Sequence, residues 1–315
     1  MSTSQILDRT FQLYRRNFWL FAGIAALPPI LILIAQLLAI GGAGLLTRFF
    51  GSVASIVTLV LGVALFVVLY LAGYALATGA TVHAVSRVHM GSQVSVSAAY
   101  GAVRPLLLRI LGIMFVVSLM AGSAFMVCYL AGIVPTFALG MLLGRGAGVL
   151  RVVLVFLLGF AGLVAGVVWS ARLYCRYSLA VPACVVERLG VNDSLRRSKF
   201  LSQESLFRIF LIYLLLVILA IVLSLVLSLP NYIELAMTPG VLTHGAKEPL
   251  IFQIWSIISS FLAGTLAGPI GTIAIALVYY DQRVRKEAFD LQLMMDAIGQ
   301  SSPQQSTGAA APGLG

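Results

Sequence analysis

The stretch that decides the fold runs from Ile209 to Leu229 and reads IFLIYLLLVILAIVLSLVLSL. It contains no charged residue, and as a helix it is long enough to cross a hydrocarbon core of about 30 Å. Five further apolar stretches of similar length lie at residues 18–40, 56–82, 110–133, 149–171 and 255–280. The sequence therefore predicts an all-α fold, a polytopic membrane helical bundle with six transmembrane helices.

The composition excludes an ordinary soluble protein. Hydrophobic residues make up 61% of the 315 residues and charged residues 10%, and the mean hydropathy is +1.05. Soluble domains carry about 25% charged residues. We expect one membrane domain over residues 1–296 and a disordered cytoplasmic tail over residues 297–315, which is rich in Ser, Gln, Gly and Pro.

The basic residues predict the orientation in the membrane. Of the 20 Lys and Arg residues, only Arg48, Arg145, Arg151 and Lys247 fall in the segments on one side. Because short cytoplasmic loops carry the excess of Lys and Arg, both termini are predicted to be cytoplasmic. The formal net charge of +10 then reflects orientation and contact with anionic lipid headgroups, and no nucleic acid partner is expected.

Three predicted cytoplasmic segments share one order of features: polar capping residues, then basic residues, then a pair of spans. They are Ser4–Phe18, Ser95–Arg109 and Asn192–Arg208. This pattern predicts three repeats, each a cytoplasmic amphipathic helix followed by a helical hairpin.

The first amphipathic segment has one apolar and one basic helical face. The apolar face holds Leu7, Phe11, Tyr14 and Phe18, and the opposite face holds Arg9 and Arg16. Such a helix is typical of the headgroup layer, and the same apolar face could also pack on the bundle beneath it. The sequence leaves both arrangements open.

Prolines interrupt the first and sixth predicted spans. Pro28, Pro29 and Pro269 each remove a backbone donor and favour a kink, and broken helices line the binding sites of many transporters. The middle of every span lacks Asp, Glu, Lys and Arg, which weighs against an ion-coupled transporter.

Glycine pairs with GxxxG spacing occur in two spans. They are Gly162 with Gly166 and Gly264 with Gly268. We assign both pairs to helix packing within one chain. The alternative is a homodimer interface, and no other feature of the sequence supports a homo-oligomer.

No catalytic, cofactor-binding or metal site is predicted. The sequence holds three histidines and no HExxH, GxSxG or P-loop motif. Cys128, Cys175 and Cys184 form no CxxC pair. We therefore expect a protein that is not an enzyme and needs no cofactor.

Charged residues do cluster at the predicted inner ends of the fourth and sixth spans. The cluster consists of Arg172, Arg176, Glu187, Asp281, Arg283 and Arg285. Asp281 ends the sixth span at a depth where an unpaired carboxylate is costly. We expect Asp281 and Glu187 to accept hydrogen bonds from Arg172 and Arg176, which share a helical face, and from Arg283 or Arg285. The alternative is a set of separate solvated charges.

A second basic set is expected to face the lipid headgroups. It consists of Arg196, Arg197, Lys199 and Arg208. Each such residue adds about 1 kcal/mol of attraction to an anionic leaflet. The segment that carries them is therefore predicted to lie on the lipid surface.

Three stretches carry more specific motifs. They are ILDRTFQLYRRNF at Ile6–Phe18, the stretch Tyr174–Leu201 that ends in SLRRSKFL, and YYDQRVRKEAFDL at Tyr279–Leu291. Together they resemble the bacterial glycerophosphoryl diester phosphodiesterase membrane domain family, with Ala288 where the family has Gly. The resemblance implies a multi-pass protein of the bacterial cytoplasmic (inner) membrane. In that family an attached soluble domain would hydrolyse the diester, and we expect no such domain in this chain.

Three functional hypotheses follow. The first is a non-catalytic membrane protein that organises or regulates an unknown protein partner, in lipid or envelope metabolism. The alternative is a transporter or flippase-like protein for a small or lipid-derived substrate, and an embedded enzyme ranks third. A polar cavity between helices would favour transport, a pocket joining Glu187, Asp281 and a histidine would favour chemistry, and a packed bundle would favour the first hypothesis.

The charge asymmetry makes a prediction about topology. Reporters fused after residue 300 and within residues 192–203 should report the cytoplasm, because Lys and Arg accumulate on that side. A reporter within residues 231–248 should report the opposite side. Alkaline phosphatase and fluorescent protein fusions measure this, and an extracytoplasmic C-terminus would contradict the orientation.

Overall fold

The computed structural model describes residues 3–142, 148–203, 205–237 and 249–300, and it contains no strand within these ranges. The helices are α1 (Thr3–Arg16), α2 (Phe18–Ala25), α3 (Leu27–His89), α4 (Val96–Val103), α5 (Leu107–Leu142), α6 (Gly148–Tyr177), α7 (Ala180–Glu187), α8 (Val191–Ser202), α9 (Leu206–Leu227), α10 (Leu229–Met237) and α11 (Leu250–Gln300). A short 3₁₀ turn, Arg104–Leu106, joins α4 to α5. Residues 301–315 of the predicted tail, together with Arg145, His244 and Lys247, lie outside the described residues.

The helices confirm a multi-pass membrane protein. Five stretches are long and apolar enough to cross a bilayer, and the pair Phe18–Ala25 and Leu27–Leu38, bent by 44°, forms a sixth if it is counted as one span. The five are Val57–His89, Val96–Pro135, Val152–Glu187, Leu206–Leu227 and Leu250–Ala288. Large apolar side chains along them, such as Leu61, Phe156 and Val222, are exposed, as a lipid-facing surface requires.

The bend between α2 and α3 follows from the two prolines. Pro28 has no N–H to donate to the carbonyl oxygen of Ile24, four residues earlier, so the helix loses that bond. The hydroxyl of Tyr100, on α4, donates to the Ile24 oxygen instead. The bend is therefore stabilised by a side chain from a neighbouring element.

Contacts within α3 require the chain to turn back on itself. A straight α-helix would separate Leu31 from Gly73 by about 60 Å. In the structure a Cβ atom built on Gly73 would lie 2.8 Å from Cδ1 of Leu31. The first two predicted spans thus pack side by side as a hairpin.

Glycines permit the closest helix packing, between α5 and α6. A Cβ atom built on Gly162 would lie 2.7 Å from the Cα atom of Gly132, and one built on Gly166 would lie 3.1 Å from the carbonyl oxygen of Phe125. Gly264 packs on Pro29 in the same manner, at 2.9 Å. Both GxxxG pairs therefore contribute to packing within the chain, as predicted.

The buried core lies at one end of the bundle, where α1, α4, α7 and α8 pack around the ends of the long helices; we call it the basic end. Its largest fully buried side chains include Phe21, Ile113, Leu179, Ile209 and Tyr279. Helices occupy all three segments predicted to be amphipathic, as α1, α4 and α8. The relation of these units as repeats stays a prediction.

Helix α1 packs on α11, and its most buried residues are Ile6 and Thr10, although Tyr14 of the predicted face also packs against the core. Ile6 and Thr10 are fully buried, and the Thr10 hydroxyl donates to the Ile6 carbonyl oxygen at 2.7 Å. Phe11 is instead 43% exposed. The buried stripe is shifted because the hydroxyl of Thr10, bonded to its own helix, packs as part of the apolar face.

Close packing of α5 on α6 predicts that an added methyl group destabilises the protein at Gly162 but not at Gly159. Gly162→Ala should destabilise the protein by about 1–3 kcal/mol, because its Cβ would overlap backbone atoms. Gly159→Ala is the matched control, since nothing lies within 4 Å of its Cβ position and alanine favours a helix. Thermal unfolding in detergent measures both, and equal melting temperatures would contradict the packing.

Candidate functional site

Two carboxylates hold the basic end together, and the first is Asp281 on α11. Its side chain is only 5% exposed, and it accepts a hydrogen bond at 2.9 Å from Nη1 of Arg208, which is 17% exposed at the start of α9. Nε of Arg285, one turn along α11, lies 3.1 Å from the same oxygen. This buried pair fixes α9 against α11.

The second carboxylate is Glu187, the last residue of α7. It accepts a hydrogen bond at 3.1 Å from Nε of Arg197 on α8, and another from the hydroxyl of Tyr279 on α11. Arg197 also donates to Glu287, and the two carboxylates raise the pKa of Arg197 although burial acts to lower it. The guanidinium therefore stays charged and joins α7, α8 and α11.

The turn after Glu187 gives α8 its direction. Arg188 ends α7 in the left-handed region with φ of 54°, and its carbonyl oxygen accepts a hydrogen bond at 3.0 Å from Nη1 of Arg109. Helix α8 then begins after Gly190. A left-handed residue is typical of a helix end, and here it turns α8 back towards α6.

Serines on α8 cap the end of α6. The hydroxyls of Ser198 and Ser202 both donate to the carbonyl oxygen of Arg176, each at 2.9 Å. This carbonyl lies in the last turn of α6, where helical partners are missing. The spacing of four residues among Ser194, Ser198 and Ser202, all buried, is the sequence signal for this face.

The predicted cluster forms with different partners. Asp281 and Glu187 are acceptors as expected, but Arg172 is exposed and Arg176 contributes its backbone oxygen. Neither has an ion pair among the described residues. Their places are taken by Arg208 and Arg197, because α8 and the start of α9, not the end of α6, face the carboxylates. Arg283 pairs with Glu287 one turn away, at 3.0 Å.

The predicted headgroup-facing set therefore divides in two. Arg197 and Arg208 point into the ionic network, which corrects the expectation that they contact lipid. Arg196 and Lys199, on the opposite side of α8, are exposed. One face of α8 packs on the bundle, and the other remains available to headgroups.

Two cavities lie among the spans. One, of about 260 Å³, lies between the bent α2 and α3 pair and α11, and Pro28, Pro29 and Pro269 line it. Its hydroxyl-bearing lining residues are Tyr70, Tyr74, Thr78, Thr81, Ser260 and Thr272. The bend between α2 and α3 and Pro269 of α11 therefore border the same space.

The second cavity, of about 280 Å³, adjoins the first on the other side of Tyr74, Thr78 and Thr272, which line both. Its further hydroxyl-bearing lining residues are Ser118, Tyr174, Tyr177, Ser178 and Tyr213. No described residue lining either cavity carries a charge. The two cavities form one region of hydroxyl and aromatic groups, which the sequence did not reveal because its members come from distant spans.

Groups suited to metal binding do not converge. Within the described residues, no three His, Cys, Asp or Glu side chains lie close enough to hold an ion. His89 stacks on Tyr280, with ring centroids 5.7 Å apart, and Cys175 and Cys184 are buried free thiols.

Comparison of the chain with protein-family models, with curated proteins and with solved structures finds no match. The chain is an integral membrane protein with a network of ion pairs at its basic end and two adjoining cavities among its spans.

Burial of the Asp281 pair predicts a large stability effect. Asp281→Asn should lower the free energy of unfolding by about 3–5 kcal/mol, because it leaves Arg208 charged and buried. Glu287→Gln is the control: Glu287 is 47% exposed, and exposed pairs contribute about 0–1 kcal/mol. Unfolding in mixed micelles measures both, and equal small losses would contradict burial of the pair.

Proposed function

We propose that the protein is a transporter of the flippase type in the bacterial cytoplasmic membrane, with both termini in the cytoplasm. Its substrate is an amphiphilic, lipid-derived molecule whose weakly polar part binds in the hydroxyl-lined cavities. The observation that carries the proposal is one cavity, with no charge among its described lining residues, that is bordered by the bend between α2 and α3 and by Pro269 of α11. The resemblance to the glycerophosphoryl diester phosphodiesterase membrane domain family supports the location.

The chemistry of the lining defines the class of substrate. Tyrosine and threonine hydroxyls donate and accept hydrogen bonds, and the aromatic rings offer apolar surface. The described lining residues include no Asp, Glu, Lys, Arg or His, so neither a bare ion nor a proton relay is favoured. Hydroxyl and ester groups of a lipid backbone match such a surface.

Fully buried side chains lie between the first cavity and the ion pairs of the basic end. Phe21, Ile24, Val85 and Ile273 are fully buried, and they follow the residues that line this cavity along α2, α3 and α11 in that direction. A site bordered by packed side chains on one side and by a broken helix pair is suited to alternating access.

The other candidate is a non-catalytic protein that organises or regulates a partner in lipid or envelope metabolism. The observation that favours it is the exposed face of α8, with Arg196 and Lys199. This face could contact an acidic partner or anionic headgroups.

Filling the second cavity tests the transport proposal. Gly271 lines it, and nothing lies within 4 Å of its Cβ position, so Gly271→Leu adds bulk to the cavity without a backbone clash. In liposomes, movement of a fluorescent phosphatidylglycerol between leaflets, measured by dithionite bleaching, should fall at least tenfold relative to the unmodified protein.

The matched control is Gly122→Leu, because Gly122 is exposed and also has nothing within 4 Å of its Cβ position. It should leave the rate unchanged. Movement no faster than in protein-free liposomes, or equal rates for Gly271→Leu and the unmodified protein, would contradict transport of this lipid and favour the partner-organising role.

A further inference from the structure

We infer that a cleft at the outer edge of the basic end binds a phosphate group, and that the phosphate belongs to a lipid headgroup. The cleft has a volume of about 760 Å³ and lies between α1, the end of α3 and the connection that follows α3. Among the described residues, the cleft shares no lining residue with the two cavities within the spans. The inference therefore does not rest on transport.

The polar lining of the cleft suits an anion. Arg9 and Arg16 are two helical turns apart on one face of α1, with Gln12 between them. His89 and Gln93 face them from the other wall. The lining includes no Asp or Glu among the described residues, and guanidinium and amide N–H groups are the donors that phosphate prefers.

The wall opposite α1 is held in place by backbone bonds. Gly91 ends α3 with φ of +78°, and the N–H of Ser92 donates to the Arg87 carbonyl oxygen at 3.0 Å. The ring of His89 is stacked on Tyr280. The connection after α3 and the His89 ring are thus held in place before a ligand arrives. Binding therefore requires little loss of conformational entropy from this wall.

The position of the cleft favours a lipid as the source of the phosphate. Leu13, Leu20 and Leu277 form an apolar part of its lining, beside the charged groups. Trp19, which directly precedes Leu20 in the chain, is 85% exposed. Exposed tryptophans are enriched at the depth of the headgroups. An anionic phospholipid can place its phosphate on the arginines and its first carbons on the leucines.

Native mass spectrometry of the full chain, released from a neutral detergent, tests this inference. The probe is phosphatidylglycerol, with diacylglycerol as the lipid that lacks a phosphate. The unmodified protein should retain one phosphatidylglycerol at least tenfold more tightly than diacylglycerol and than the double variant Arg9→Gln, Arg16→Gln. A second variant, Gln12→Glu, adds a carboxylate to the cleft at an exposed position and should weaken retention at least fivefold.

The matched control removes two exposed charges elsewhere, as Arg15→Gln with Arg172→Gln, and should retain phosphatidylglycerol as the unmodified protein does. Competition by inorganic phosphate at millimolar concentration would assign the site to phosphate itself, from a soluble source. Absence of phosphatidylglycerol binding, or equal weakening in the cleft variants and the control, would overturn the inference.

Discussion

The packing of the helices depends on one buried carboxylate, which requires a positively charged partner. Asp281 follows the apolar part of α11 with its side chain 5% exposed, in surroundings where an unpaired charge is costly. Arg208 meets that need, and so the start of α9 is held against α11. Glu187 repeats the arrangement with Arg197 and Tyr279. Two carboxylates thereby gather α7, α8, α9 and α11 around one core.

The basic end and the membrane spans differ in how tightly their side chains are packed. The basic end is dense, with ion pairs above fully buried side chains such as Phe21 and Ile273. Among the spans, the bend between α2 and α3 and Pro269 of α11 border space lined by hydroxyl groups. A densely packed end beside a bent helix pair is what a membrane protein needs if its spans are to rearrange without unfolding.

Features set by local sequence could be predicted, and features set by neighbouring helices could not. The length of the apolar stretches predicted the spans, and the missing N–H group of Pro28 predicted the bend. The small size of Gly162 predicted close helix packing. Burial of Asp281 also followed from its depth. Its partner did not, because the helical face shared by Arg172 and Arg176 says nothing about which helix lies opposite. The hydroxyl-lined cavities could not be predicted for the same reason, since spans far apart in sequence supply their lining. The family resemblance stays a prediction.

The central claim is that the pairing of Asp281 with Arg208 fixes α9 relative to α11 in the membrane. Spin labels at Phe207 and Val284, which are 73% and 66% exposed, report this directly in lipid nanodiscs, after Cys128, Cys175 and Cys184 are replaced by alanine. Electron paramagnetic resonance should give one narrow distance distribution for the paired protein and a broader, longer one for Asp281→Asn. An unchanged distribution in Asp281→Asn would contradict the claim.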